Sequence, residues 1–310
     1  MEYRSIGGLA VSVVGIGTNN FGTRLDQAQT TAVVTAALDE GIVFFDTADI
    51  YGATESEVFL GRALGSRRAE AVIATKFGLP FANQAGGGSP AYVMSSCEAS
   101  LRRLDTEVID LFQLHAPDAS VPLADTLGAM AELVAAGKVR ALGCSNFTAA
   151  QLREAAALGI DPGFASVQNQ YSLLWREPEG EILETLDELG MSLLPYYPLA
   201  NGLLTGKYAK GAEVPEGTRL ALMPKERTAH WLADERLDVV EAIRDIALDI
   251  DVPMGTVAFS WLASHHQVAS VIAGASTPAQ VAQNAAAVIE LSTEVLGRLD
   301  AATAAPIVST

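Results

Sequence analysis

Short apolar segments alternate with longer amphipathic segments along almost the whole chain. The apolar segments are rich in β-branched and aromatic residues, and such near-continuous apolar runs are typical of strands buried on both faces of a parallel sheet. We predict eight strands: Val13–Gly17, Ile42–Asp46, Val72–Lys76, Ile109–His115, Val139–Gly143, Ala165–Asn169, Ser192–Tyr196 and Ser270–Gly274.

The longer segments have the residue spacing of amphipathic helices. In Gln27–Glu40 the apolar residues recur on one helical face, and Gly41 follows as a stop signal. Seven further helices are predicted in the same way: Ser56–Leu64, Met94–Leu104, Pro122–Ala136, Ala149–Leu158, Pro178–Leu189, Asp234–Ile250 and Pro278–Val288. Strands and helices in one unbroken alternation predict a (β/α)8 TIM barrel, with residues 1–310 as a single domain.

Other segments fall outside this alternation. Tyr3–Ser12 carries Gly7-Gly8 between two short extended pieces, which predicts a β-hairpin that closes the bottom of the barrel. Phe77–Pro90 and Asn201–Trp231 are longer than ordinary connections and predict long loops at the C-terminal face. The tail Ala301–Thr310 is expected either to be disordered or to lie across the barrel.

A doubly wound dinucleotide-binding fold is the alternative architecture. Its fingerprint is GxGxxG directly after the first strand. The glycines here are Gly15, Gly17 and Gly22, so the third one comes too late for that turn. The pattern therefore favours the barrel.

Composition narrows the class of protein. The chain has 20 Lys+Arg against 37 Asp+Glu, a formal net charge of −17, which opposes binding to nucleic acid or to anionic membrane surfaces. Four histidines and two isolated cysteines, Cys97 and Cys144, show no zinc-ligand spacing and no disulfide framework. No apolar run approaches the roughly 20 residues of a membrane helix, and the N-terminus does not resemble a signal peptide. We expect a cytoplasmic protein without a metal site; the sequence implies no oligomeric state.

Ionisable side chains gather where predicted strands end, which in a barrel is the face that carries active sites. Asp46, Lys76 and His115 each end an apolar strand, and Tyr51 follows Asp46 by five positions. An ammonium beside a phenol favours phenolate, and Asp46 would keep Lys76 charged. This set predicts a tyrosine general acid for a carbonyl oxygen that gains charge as hydride arrives from a cofactor.

Several ordered motifs resemble the aldo-keto reductase superfamily. They are the run from Phe45 to Glu57 (FDTADIYGATESE), Leu60–Leu64 (LGRAL), Ala74–Gly78 (ATKFG), Asp110–His115 (DLFQLH), Gly143–Phe147 (GCSNF), and Tyr196–Leu199 (YYPL) with Leu204–Tyr208 (LTGKY). The similarity extends from about Arg4 to Asn284, nearly the whole chain.

The resemblance implies a (β/α)8 barrel and NAD(P)H-dependent reduction of a small aldehyde or ketone. It assigns catalysis to Asp46, Tyr51, Lys76 and His115. The implied cofactor residues begin with Gly17, Thr18 and Asp46, continue with Ser145, Asn146 and Gln168 for the nicotinamide carboxamide and Tyr196 for stacking on the ring, and end with Leu199, Gly202 and Lys207 near the pyrophosphate and Gly274, Ser276, Gln280 and Asn284 at the adenosine end.

The identity of the nicotinamide cofactor is open at this point. Family members that prefer NADPH often carry a basic residue near the positions of Ser276 or Gln280, and this chain has none there. We expect NADPH, with NADH as the alternative. Lys207 or Arg219 in the long loop could supply the missing charge.

Alternatives remain for the site and for the function. Asp46 and Lys76 alone could be a structural ion pair. The walls of a substrate pocket would come from loops, with Asn20, Phe21, Phe77, Trp175 and Trp231 as candidates. The alternative to an enzyme is a redox-sensing regulatory subunit that binds the cofactor with little turnover. Potassium channel β-subunits resemble the family in this way. A double-bond reductase is disfavoured, since the family then carries glutamate at the position of His115.

Overall fold

A computed structural model describes residues 1–81 and 85–304. Its strands are β1 Tyr3–Ile6, β2 Leu9–Ser12, β3 Val14–Gly17, β4 Phe44–Asp46, β5 Val72–Phe77, β6 Ile109–Leu114, β7 Val139–Ser145, β8 Phe164–Gln170, β9 Ser192–Tyr196 and β10 Val271–Gly274. Its helices are α1 Gln27–Asp39, α2 Glu55–Leu64, α3 Pro90–Leu104, α4 Leu123–Ala135, α5 Ala149–Ala157, α6 Ile182–Leu189, α7 Lys225–Trp231, α8 Asp234–Asp249, α9 Met254–Ala263, α10 Pro278–Ala285 and α11 Thr293–Thr303.

Strands β3 to β10 form the predicted (β/α)8 barrel. From β3 to β9 each strand pairs in parallel with the next along the chain, and β10 pairs with β3, for example Val271 with Val14. The ring is completed by a parallel bridge between Leu193 and Val268, where the Ala269 amide donates to the Leu193 carbonyl. The C-terminal ends of all eight strands therefore meet on one face.

The hairpin β1–β2 closes the bottom of the barrel, as predicted. Its register joins Tyr3 to Ser12 and Ile6 to Leu9. Gly7 occupies the turn with φ +52°, and a Cβ there would lie 2.8 Å from the Cβ of Ala165. The hairpin residues Ile6, Leu9 and Val11 form one buried cluster with residues of the barrel strands: Phe44, Ala74, Leu111, Ala141, Leu194, Ala269 and Ile272. This cluster fills the lower lumen.

The helices differ from the prediction in number and at several boundaries; for example, α10 ends at Ala285 rather than at Val288. Helix α3 begins at Pro90 rather than Met94, because Ser89 accepts a hydrogen bond from the Tyr92 amide and proline suits a first helical turn. The predicted helix Pro178–Leu189 divides into a 3₁₀ turn, Glu177–Glu179, and α6.

Three helices were not predicted. Helix α7 lies inside the predicted loop 201–231. Helix α9 shows no amphipathic pattern in the sequence because nearly all of its residues are buried. Helix α11 extends to Thr303, so residues 301–303 of the predicted tail are helical rather than disordered. Residues 82–84 of the predicted loop 77–90, and 305–310 of the tail, lie outside the described residues.

Within the described ranges, no single helix is long and apolar enough to cross a membrane. Helices α8 and α9 pass such a test of length and composition only as a pair bent by 94°.

Candidate active site

The Asp46–Lys76 ion pair lies in the upper lumen of the barrel. Adjacent strands β4 and β5 carry the two residues, and the Lys76 Nζ donates to Asp46 Oδ2 at 2.7 Å and to the Thr47 carbonyl at 2.9 Å. The Lys76 side chain is fully buried. Because an isolated buried charge is very costly, the fold depends on Asp46 to keep an ammonium at this position.

Two glutamine amides hold the other oxygen of Asp46. Gln168 Nε2 donates to Asp46 Oδ1 at 2.8 Å, and Gln113 Nε2 donates to the same oxygen at 3.3 Å. Sequence reasoning missed Gln113, since it lies inside an apolar strand. Its position two residues before His115 was the available signal, because residues i and i+2 face the same side of a strand.

Tyr51 projects toward this pair from a 3₁₀ turn, Tyr51–Thr54, that follows β4. The turn requires Gly52, with φ +59°, since a Cβ there would lie 2.7 Å from the Phe21 carbonyl oxygen. The Lys76 Nζ lies 5.2 Å from the centroid of the Tyr51 ring. The His115 ring meets the Tyr51 ring edge-on, with centroids 6.1 Å apart. The four residues predicted to be catalytic thus lie together.

Burial and charge act in opposite directions on Tyr51 and Lys76. Burial raises the pKa of Tyr51 above its ordinary value, although the Lys76 ammonium opposes this. This net direction differs from the lowering that the sequence led us to expect. Burial disfavours the charged form of Lys76, but Asp46 and then Tyr51 outweigh it, so its pKa is raised. At neutral pH the site therefore holds a protonated phenol beside an ammonium.

His115 is neutral in this environment. Burial and the nearby Lys76 charge lower its pKa to about 3. Its Nδ1 is buried and has no hydrogen-bond partner among residues 1–81 and 85–304. A neutral imidazole has one N–H to donate, so His115 can bind an oxygen atom but cannot supply a cationic acid at pH 7.

The residues expected to hold a nicotinamide carboxamide surround the ends of β7 and β8. Ser145 Oγ donates to the Gln168 carbonyl at 2.7 Å, and Asn146 Nδ2 donates to the His115 carbonyl at 2.9 Å. Tyr196 donates its hydroxyl hydrogen to Asn146 Oδ1 at 2.9 Å. Thr148 caps α5, and Asn146, with φ +61°, stays exposed. The set offers an amide, a hydroxyl and an aromatic face.

Gly17 and Thr18 support the site from the neighbouring strand. Gly17 is the register partner of Asp46. Thr18 is fully buried and donates its hydroxyl hydrogen to the Asp46 carbonyl at 3.1 Å. Its side chain therefore braces β4 from inside the protein.

The segment after β9 carries aromatic and basic side chains. The Tyr196 and Tyr197 rings meet edge-on with centroids 5.3 Å apart, and the Arg219 guanidinium lies 5.2 Å from the Tyr197 ring centroid. Lys207 approaches Gly202 so closely that a Cβ at Gly202 would be 2.8 Å from its Nζ. Leu199 is half-buried at the start of this segment. Lys207 and Arg219, the two cations singled out in the sequence analysis, therefore both lie on the loop after β9.

The segment after β10 forms an open polar rim. Ser276 donates its amide hydrogen to Gln280 Oε1 at 2.8 Å. Thr277 is the N-cap of α10, and its side chain accepts a hydrogen bond from the Gln280 amide. Gly274, Ser276 and Gln280 are exposed, whereas Asn284 Nδ2 is buried without a described partner. An unpaired amide donor beside exposed glycine and hydroxyl groups fits a nucleoside ligand.

The predicted substrate walls need correction. Phe21 and Phe77 are fully buried, and Phe77 stacks on Phe112 with centroids 4.6 Å apart, so neither offers a surface to a substrate. Asn20 Nδ2 donates to the Ala275 carbonyl and to Ser276 Oγ, which ties it to the polar rim after β10. Trp175 and Trp231 are half-buried, and Trp231 packs under the Arg236 guanidinium. In the described ranges, no group of three His, Cys, Asp or Glu could hold a metal ion.

The strand ends of this barrel carry a tyrosine, a lysine–aspartate pair and a neutral histidine. This arrangement is typical of oxidoreductases built on a barrel. The aldo/keto reductase family model matches residues 13–304. The chain belongs to the aldo/keto reductase family.

Relatives with different names are similar over nearly the full chain. A protein of Arabidopsis thaliana named probable voltage-gated potassium channel subunit beta is 36% identical and covers 93% of this chain and 91% of its own length. A protein of Glycine max named probable aldo-keto reductase 1 is 35% identical, with coverages of 89% and 81%.

Solved structures agree on the fold. The holo form of aldo-keto reductase AKR11C1 from Bacillus halodurans aligns with a TM-score of 0.82 at 31% identity, and covers 97% of this chain and 96% of its own. The glycerol dehydrogenase AKR11B4 from Gluconobacter oxydans aligns with a TM-score of 0.84 at 28% identity, with coverages of 97% and 95%.

Proposed function

We propose that this protein reduces small aldehydes or ketones to alcohols with a nicotinamide cofactor. The observation that carries the proposal is the group formed by Tyr51, Lys76, Asp46 and His115, in which a protonated phenol, a buried ammonium and a neutral imidazole share one end of a barrel. Family membership supports the same reaction.

Tyr51 acts as the general acid in this proposal. A bound reduced cofactor supplies the hydride to the carbonyl carbon. The phenol of Tyr51 gives its proton to the carbonyl oxygen, which completes the alcohol and leaves a phenolate. The ammonium of Lys76 stabilises that phenolate, and Asp46 keeps the ammonium charged and in place. The single N–H of neutral His115 orients and polarises the carbonyl oxygen.

The residues around the strand ends fit the cofactor that the family uses. Gln168 Nε2 is already bound to Asp46, so its Oε1 is left to accept a carboxamide N–H. Tyr196 offers its ring face to the nicotinamide. Asn284 and Ser276 serve the adenosine end.

NADPH is the proposed cofactor, with NADH as the competing one. Ser276 and Gln280 bring no positive charge to a 2′-phosphate. Lys207 and Arg219 lie on the loop after β9 and are the cations available to phosphate groups. A cofactor preference near unity would mean that neither cation reaches the 2′-phosphate.

A second candidate function is a cofactor-binding regulatory subunit with slow turnover. The relatives named as potassium channel β-subunits favour it. All four catalytic groups are present in this chain, which supports turnover without excluding regulation.

The test measures cofactor binding and turnover separately. Dissociation constants for NADPH and NADH come from quenching of protein fluorescence. Oxidation of each cofactor at 340 nm is followed with a panel of short aliphatic and aromatic aldehydes, and reduction of each oxidised cofactor is followed with glycerol. Turnover with any of these supports the enzyme. Tight binding without turnover favours the regulatory subunit, and absence of binding refutes both.

A further inference from the structure

The upper lumen contains a buried amide that the proposed reaction does not use. Gln113 on β6 is fully buried, and its Nε2 donates to Asp46 Oδ1 at 3.3 Å. The orientation of the amide is fixed by charge, because the opposite orientation would place its carbonyl oxygen against the carboxylate. Its Oε1 has no hydrogen-bond partner in the described parts of the chain.

An unpaired buried carbonyl oxygen is costly for stability. An apolar side chain of similar size at this position would avoid that cost, as Leu111 does two residues below on the same strand. A glutamine therefore weakens the fold through Oε1 while its Nε2 binds one carboxylate. This combination points to a role at Asp46 rather than in packing.

Gly143 provides the space that Gln113 needs. It is the register partner of Gln113 on β7, and a Cβ there would lie 3.0 Å from Gln113 Cγ and 2.9 Å from Ser166 Oγ. Any larger residue would press on the Gln113 side chain from the neighbouring strand. The lumen is thus shaped to admit a long side chain at this height.

The two glutamines on Asp46 have different surroundings. The backbone carbonyl of Gln168 on β8 accepts from Ser145 Oγ, at the strand end to which the proposed function assigns a nicotinamide carboxamide. Gln113 on β6 is level with Gly143 on β7 and Ser166 on β8, so it lies two residues deeper in the barrel than Gln168. A carboxamide bound at Gln168 Oε1 would leave both amide donors on Asp46 Oδ1, and Gln113 is the donor that the proposed cofactor does not contact.

We propose that Gln113 is a positioning residue that fixes the Asp46 carboxylate, and through it the Lys76 ammonium beside Tyr51. This proposal rests on the proposed carbonyl reduction, because it concerns the same proton donor. It predicts that Gln113 affects the chemical step more than cofactor binding.

The principal variant is Gln113→Met, which preserves side-chain length without the amide. We expect kcat to fall about 10-fold, the order expected for one hydrogen bond to a charged group, with the cofactor Kd unchanged and the Tm equal or higher. The matched control is Ser166→Ala, which removes another fully buried lumen polar atom without a described partner and should leave kcat unchanged.

Gln113→Glu provides a readout that packing alone would not move. The charged and titratable neighbours are Asp46 on β4, Lys76 on β5 and His115 on β6. The introduced carboxyl can donate to Asp46 only while it is protonated. The ratio of variant to wild-type kcat should therefore fall as pH rises. A pH-independent ratio overturns the proposal, as does a Gln113→Met variant with kcat within twofold of wild type.

A double-mutant cycle on the free energy of unfolding in urea separates this inference from the proposed function. It compares Gln113→Met, Asp46→Ala, which removes the acceptor oxygen, and the double variant. Non-additive free energies of unfolding support a bond between the two side chains even if the wild type reduces no carbonyl on the panel, an outcome that would sink only the enzyme. Additive free energies overturn the positioning role.

Discussion

The lower and upper halves of the barrel lumen are built on the same strands with opposite chemistry. On β4, β5 and β6 the lower residues are Phe44, Ala74 and Leu111, which pack against the hairpin. Two positions further along each strand are Asp46, Lys76 and Gln113, which are joined by hydrogen bonds.

The difference shows how one scaffold carries both stability and chemistry. Residues i and i+2 face the same side of a strand, so a strand of six residues supplies one layer to each half. The lower half is sealed by Ile6, Leu9 and Val11 and gains from apolar burial. The upper half retains a buried ion pair, which is weak support for stability but holds an ammonium where Tyr51 can use it.

Lys76→Met removes the positive charge from the upper half of the lumen and should have the largest effect on activity. The phenolate of Tyr51 then forms without a cation beside it, and Asp46 loses its charge partner. We expect the rate of carbonyl reduction to fall about 10³-fold, within the range for a disabled general acid. The measurement is kcat/KM with the best aldehyde of the panel, with the cofactor Kd as control; a fall of less than tenfold would contradict the role of Lys76.

Ile6→Ala weakens the lower half and should leave the upper half working. Ile6 is fully buried in the hairpin cluster, so truncation leaves a cavity. We expect a loss of about 3 kcal/mol in the free energy of unfolding, measured in urea. Activity per folded molecule should stay within twofold of wild type at a temperature well below the Tm. A large loss of activity without loss of stability would mean that the halves are not separate.

Asp49→Asn tests a buried carboxyl in the segment after β4, and its effect depends on pH. Burial, followed by Glu57, raises the Asp49 pKa to about 7, while Arg103, the Ile50 amide and Lys76 oppose the rise. The folded state therefore binds the proton more tightly than the unfolded state, and stability falls as pH rises from about 4 to 7.

Replacing the carboxyl with an amide removes that loss. Relative to wild type, Asp49→Asn should gain stability on the order of 2 kcal/mol above pH 7 and nothing near pH 4. Urea midpoints at several pH values measure it. A gain that is the same at every pH would exclude titration of Asp49 as its cause.

The sequence predicted the barrel, the hairpin and the positions of Asp46, Lys76 and His115 because each depends on local pattern. Apolar runs identify strands, and a charged residue at the end of such a run is conspicuous. Tyr51 followed from its short distance to Asp46 in the chain and from the family motif.

The predictions that were wrong or missing concern side chains whose orientation depends on tertiary contacts. Phe21 follows the end of β3 and Phe77 ends β5, but position along the chain does not tell which way a side chain points, and both are fully buried. Gln113 was overlooked because its role depends on contact with another strand. The net pKa of Tyr51 required its degree of burial, which the sequence does not provide.

The most direct test of the account is single-turnover hydride transfer in Tyr51→Phe. This change removes one hydroxyl group and should leave the fold and the cofactor Kd unchanged. We expect the rate to fall about 10²- to 10⁴-fold, the usual contribution of a positioned proton donor. A rate within threefold of wild type, with the cofactor bound as tightly, would contradict the assignment of Tyr51 as the acid.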